Sequence, residues 1–160
     1  MPSQGEAKKQ LAGFIAKFDP ALARNATAIL AKMRRCLPGA TELVYDNYNA
    51  LAIAFGPGLK PSEAIFSIAL YPRWISLFFA DGKALRDPEK LLQGSGTRMR
   101  HIVLRTPGDL DSSGVAALMA QALRKAPTPI EPGARRRLVI QAVADRQRPR
   151  RPSPSAAKSR

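Results

Sequence analysis

The chain has one cysteine, Cys36, and one histidine, His101, in 160 residues. A single cysteine excludes an internal disulfide and a multi-cysteine metal cage. A lone histidine leaves zinc without its usual set of partners. Acidic residues are also scarce, 12 against 26 basic. No grouping of carboxylates has the spacing that a hard cation needs, so no metal and no cofactor is expected. Long apolar runs are missing too. The two richest stretches, near residues 64–70 and 74–80, are broken by Tyr71-Pro72-Arg73 and fall short of the roughly 20 residues that span a bilayer. The opening Met-Pro-Ser-Gln-Gly-Glu has no apolar signal stretch. These absences point to a cytoplasmic protein without a membrane partner.

Catalytic patterns are equally thin. There is no Ser/His/Asp spacing, no paired carboxylates and no metal motif. Cys36 lies in Arg34-Arg35-Cys36-Leu37-Pro38-Gly39, at the end of an expected helix. A buried structural cysteine fits that place better than a nucleophile paired with His101. Asp46 with His101 is the one acid–base pair the sequence offers. A cavity lined by neither residue, nor by Arg73, would remove it. The reading that remains is a non-enzymatic binding domain.

What the chain does have is positive charge, a formal +14. Residues 1–130 hold 17 Lys and Arg against 10 Asp and Glu, and residues 131–160 hold 9 against 2. Half of the excess therefore sits at the C-terminal end. This divides the chain into a domain over 1–130, an extension over 131–144 with a candidate edge strand, and a basic tail over 145–160. Arg, Pro and Ser dominate that tail, which predicts disorder.

Hydrophobic periodicity outlines the domain. Residues 1–5 read as disordered. A helix follows from about Glu6, with Leu11, Phe14, Ile15 and Phe18 at spacings of three and four. Asp19-Pro20 caps a second helix to about Cys36, whose stripe is Leu22, Ala26, Ile29, Leu30, Met33 and Leu37. Strands are expected over 42–48, 50–55, 64–71, 74–80 and 101–105. The third and fourth form a hairpin, apolar on both faces and so central to a sheet. Asp87-Pro88 predicts a short helix to Leu92 or Gln93. Asp111 or Ser112 caps a helix to Lys125, and residues 137–143 make a last strand. The order implies an α+β fold, an antiparallel sheet of five to six strands with helices mainly on one face.

Three segments also carry a resemblance. They are Glu42-Leu43-Val44-Tyr45-Asp46-Asn47-Tyr48-Asn49-Ala50, Ile68-Ala69-Leu70-Tyr71-Pro72-Arg73-Trp74-Ile75, and Asp87-Pro88 through His101. They resemble the YdhG-like domain family (DUF1801) over roughly residues 10–125, most specifically in the Leu-Leu-x-Gly-x-Gly-x-x-x-Arg-His run. The ending Gln147-Arg148-Pro149-Arg150-Arg151-Pro152 is similar to tails of one branch. The resemblance implies a compact α+β domain of frataxin-like shape, and an iron-chaperone role has been attached to some relatives. The residues argue against that role here. Glu6 and Asp19 stand among Lys8, Lys9, Lys17, Arg24, Lys32, Arg34 and Arg35, a surface that repels a cation.

Five places could carry function. Gly94-Ser95-Gly96-Thr97-Arg98-Met99-Arg100 invites a phosphate-binding reading, but such loops run strand, glycines, helix. Here the expected order is helix, glycines, strand, so Gly94 reads as a helix C-cap. Arg98 and Arg100 then face water or pair with Asp87 and Glu89. His101 reads as a strand residue bonded to backbone, with an acidic ligand as the alternative. Tyr45-Asp46-Asn47-Tyr48-Asn49 is the leading candidate for contact with a small molecule or a protein partner. Asp and Asn form strands poorly, so something local uses them; a turn is the alternative. Tyr71, Arg73 and Trp74 come second, against hairpin packing with Arg73 on a ring. Last, Arg146, Arg148, Arg150 and Arg151 could hold a phosphate backbone weakly and without reading sequence. No stacking platform accompanies them in the sequence.

Overall fold

A computed structural model of the chain describes residues 3–152. Three helices and a six-strand, mostly antiparallel open sheet make an α+β fold. The helices are α1 (Gln4–Ala16), α2 (Pro20–Cys36) and α3 (Ser113–Lys125). The strands are β1 (Thr41–Asp46), β2 (Leu51–Gly56), β3 (Phe66–Leu70), β4 (Ile75–Phe79), β5 (Arg100–Leu104) and β6 (Arg137–Val143). Their spatial order is β5-β4-β3-β2-β1-β6. Among the described residues, no helix is long and apolar enough to cross a membrane.

Strand alternation sorts the sheet into two unlike faces. Ile53, Ile68, Leu77 and Ile102 lie on one register line, and Phe55, Phe66 and Phe79 on another. These are the large residues, nearly all inaccessible, and they share one core with Leu11, Phe14 and Ile15 of α1, Ile29 and Met33 of α2, and Val115 and Leu118 of α3. The opposite parity holds small or half-buried residues: Ala52, Ala54, Ser67, Ala69, Ser76, Phe78 and His101. Size complementarity explains the split, because the helices need deep apolar ridges and only one parity supplies them.

Five expectations need correction. The sheet is not wholly antiparallel, since β6 runs parallel to β1, with a register shift between Val44 and Tyr45. Residues 3–5 are ordered rather than free. The Ser3 hydroxyl accepts the Glu6 amide at 3.1 Å and starts α1 at Gln4. Cys36 is exposed at the end of α2 rather than buried. No helix forms over 88–93. The Asp87 carboxylate takes the Leu91 and Leu92 amides at 2.9 and 2.8 Å, which holds the segment in an open loop. Gly114, on the first turn of α3, has no side chain where this loop packs. A Cβ there would lie 2.7 Å from Leu91 Cδ1 and 2.6 Å from a Glu89 carboxylate oxygen.

The fifth correction concerns the tail. Residues 145–152 are described and they strap the sheet end, with Arg150 only 5% exposed. The rest of the expected disordered stretch, residues 153–160, lies outside the described residues.

Candidate functional site

The β1–β2 hairpin and the β3–β4 turn both lie at the upper end of the sheet, defined by the partners Asp46, Leu51, Leu70 and Ile75. The leading and second candidate segments therefore neighbour one another. Their side chains do not converge. Asp46 shares a register line with Leu51, so it points to the helix side, where it is 1% exposed. Tyr45, one residue earlier, points to the other side.

Asp46 is held by an arginine from the tail. Arg150 donates from Nη2 to Asp46 Oδ1 at 2.8 Å and to the Asn47 carbonyl at 2.5 Å. Its Nη1 reaches the Tyr48 carbonyl at 3.4 Å, and the guanidinium lies 5.6 Å from the Phe18 ring centroid. Lys17 Nζ stands 3.8 Å from Asp46 Oδ2. The Ala144 amide and the Gln147 side-chain amide both donate to the Asp46 carbonyl. Asp46 and Asn47 thus form a latch that binds the chain to itself. Tyr48 is the exposed outer wall of the loop, with Arg148 5.6 Å from its ring centroid. The strap accounts for Asp46, whereas residues 47–50 form the turn between β1 and β2, closed by the Asn47 amide donating to the Ala50 carbonyl at 3.0 Å, as the turn alternative had it.

His101 lies on β5 opposite Phe78, their rings 5.2 Å apart, and pairs its backbone with Gln93. Between Asp46 and His101 run β2, β3 and β4. Four strand spacings separate them by about 19 Å, and they face opposite sides. The one acid–base pair legible in the sequence is not formed.

The glycine run is also resolved. Gln93 and His101 exchange two backbone bonds of 2.8 and 2.9 Å, closing residues 94–100 into a loop. Gly94 has φ +117, so it turns this loop and does not cap a helix. Arg100 donates to the loop's own carbonyls, Gly96 at 2.6 Å and Met99 at 2.7 Å, while Arg98 reaches Asp81 at 3.4 Å. Neither pairs with Asp87 or Glu89. A cradle for phosphate needs converging N–H groups; this loop converges carbonyls and fills them with its own guanidinium.

Tyr71 and Trp74 stack on each other across the turn, centroids 4.6 Å apart and planes 16° from parallel, without Arg73 between them. Burial raises the pKa of both Tyr45 and Tyr71, since a phenolate would lose its hydration there.

A hollow of about 690 Å3 opens where the small-residue face meets the lower end of the sheet. Ala54 and Ser67 line it, Tyr45 and Phe78 flank them, and residues 126–128 also contribute. Its charges come in equal numbers: Glu63 and Asp81 against Arg98 and Lys125. Glu63 is bonded to the Thr128 hydroxyl at 2.8 Å, and Asp81 to Arg98. Of the sequence candidates, Tyr45 and residues 96–99 of the glycine run, Arg98 among them, reach this hollow; Asp46, Arg73 and His101 do not line it. Ala54, Ser67 and Phe78 were missed. Their signal was present in the run of small residues at one strand parity, but it becomes a surface only when the strands are laid side by side. Among the described residues no group of three His, Cys, Asp or Glu could hold a metal ion. Comparison with family models, with curated proteins and with solved structures finds no match to this chain.

Proposed function

We propose that the chain is a cytoplasmic, non-enzymatic binding domain of the YdhG-like type. It takes a small, uncharged, partly aromatic ligand, or a partner's side chain of that kind, in the hollow between Tyr45 and Phe78. The observation that carries this reading is the floor. Ala54 and Ser67 floor a hollow of about 690 Å3 whose lining includes the Tyr45 and Phe78 rings, within the usual range of about 300–1,000 Å3 for ligand sites. Balanced charge around it favours a neutral occupant over an ion. The test is native mass spectrometry of the purified full chain and of Ser67→Phe, with a thermal-shift panel of neutral aromatics. A bound species or a stabilising aromatic that disappears in Ser67→Phe is expected. No bound species and no shift in the wild-type chain would sink the reading.

A second reading, weak nucleic-acid association through the tail, rests on the exposure of Arg146, Arg148 and Arg151. Arg150 drops out of it, because its guanidinium is buried on Asp46. The iron-chaperone role has little to stand on, since Glu42 and Asp46 are both neutralised by arginines.

A further inference from the structure

A second hollow is of similar size but differs from the first in its balance of charge. It is a trough of about 770 Å3 bounded by α1, α2 and the start of β6. Its floor is apolar, with Leu11, Ile15, Leu30 and Leu138 all buried beneath it. Thr27 turns its hydroxyl back to the Ala23 carbonyl at 2.9 Å and so adds no free polar group. Five cations line the trough, Lys8, Arg24, Arg34, Arg136 and Arg137, against one carboxylate, Glu42. That carboxylate is already matched by Arg34 through two bonds of 2.9 and 2.8 Å. The bond to Glu42 raises the Arg34 pKa, so the pair stays ionised and cancels. Among the described residues Lys8, Arg24 and Arg137 form no ion pair, and Arg136 donates only to the Arg34 carbonyl.

The shape restricts the occupant further. The trough follows α1 from Gln4 to Ala16, which is about 18 Å at the helical rise. That length and the apolar floor match an extended alkyl chain. The cations are also unevenly placed. Lys8, Arg136 and Arg137 gather at the Gln4 end, which two hydrogen bonds fix to Leu138. The apolar stretch then runs along Leu11, Ile15 and Leu30.

We propose that this trough binds a long-chain carboxylate, with its anionic head at Lys8 and Arg137 and its alkyl chain along the α1–α2 seam. The site is separate from the hollow on the sheet face. The test uses the full chain and dodecanoate in isothermal titration calorimetry, with dodecanol and acetate as comparisons. Saturable one-to-one binding of dodecanoate is expected, at least tenfold tighter than dodecanol, with no binding of acetate. Ala12→Phe, at an exposed α1 position in the trough, should weaken it tenfold or more, and so should Lys8→Glu with Arg137→Glu. Circular dichroism checks that these variants fold. Ser67→Phe, which blocks the sheet-face hollow, should leave dodecanoate binding unchanged. The assignment is overturned if dodecanoate fails to saturate, or if Ala12→Phe binds it as tightly as the wild-type chain. Loss of binding in Ser67→Phe would overturn it as well. So would binding only to phosphatidylglycerol vesicles, which would mean attraction of the basic surface to a bilayer.

Discussion

Arg150 and Asp46 form the interaction on which single side chains matter most. Their side chains are 3% and 1% exposed, and two polar atoms of the pair, Asp46 Oδ2 and Arg150 Nε, make no hydrogen bond. Burying both ions is therefore only partly compensated, and the pair is a poor source of net stability. Removing Arg150 is another matter, because it leaves the buried Asp46 carboxylate with only the half-exposed Lys17 ammonium, 3.8 Å away, as a counter-charge. Arg150→Ala should lower unfolding free energy by about 3–5 kcal/mol, read from urea denaturation. Asp46→Ala in the same background should recover part of that loss. An Arg150→Ala chain as stable as wild type would mean that the strap is open in solution. The residue types at 46 and 150 were both visible in the sequence. Their partnership was not, because 104 positions separate them, and each had a sufficient local explanation, a turn for one and a solvated tail for the other.

At the scale of elements, helices were read more easily than loops. Every residue of the predicted α1 stripe is buried, and the α2 stripe is buried apart from the half-covered Leu22. The error was at 88–93, where a proline after aspartate suggested a helix. Asp87 instead closes a loop by accepting two amides, the competing use of a short acidic side chain. Glycines mark where elements touch. Gly39 joins α2 to β1 at φ +82, and a Cβ there would lie 2.0 Å from the Glu131 carbonyl oxygen. That atom belongs to backbone and cannot swing aside. Gly39→Ala is expected to cost more than about 2 kcal/mol, combining positive-φ strain with overpacking. Gly58→Ala, where a Cβ meets nothing within 4 Å, should change stability by less than about 0.5 kcal/mol. Thermal denaturation of the two variants side by side tests the contact between the α2–β1 turn and the segment leading into β6.

For the whole molecule, the +14 charge is divided by the fold into unlike surfaces. Part of it rims the α1–α2 trough, part is neutralised in buried pairs, and part remains on the exposed tail. Among the described residues the tail exposes Arg146, Arg148 and Arg151, and the sequence adds Lys158 and Arg160. Each phosphate contact contributes about 0.9 to the dependence of log affinity on log salt, so these five cations allow a slope on duplex DNA no steeper than about −4.5. Replacing all five with serine should abolish it. A steeper slope, or one that survives the replacement, would put the binding on the folded domain. Side-chain replacements suit this test better than removal of the C-terminal part from β6 onward, because β6 hydrogen-bonds β1 and places Leu138 in the core.

Composition, strand parity and helical stripes were enough to determine the α+β class, the buried stripes of the helices and the central place of the β3–β4 hairpin. They are set by local periodicity, and burial of one apolar face acts on each element whatever its partners are. Tertiary structure alone decided that β6 runs parallel to β1, that Arg150 leaves the solvent for Asp46, and that Asp46 and His101 stand four strands apart. It also decided that small residues from β2 and β3 combine into one floor. Each of these depends on which distant segments become neighbours. That is settled by the packing of the whole chain, and no window along it carries the information.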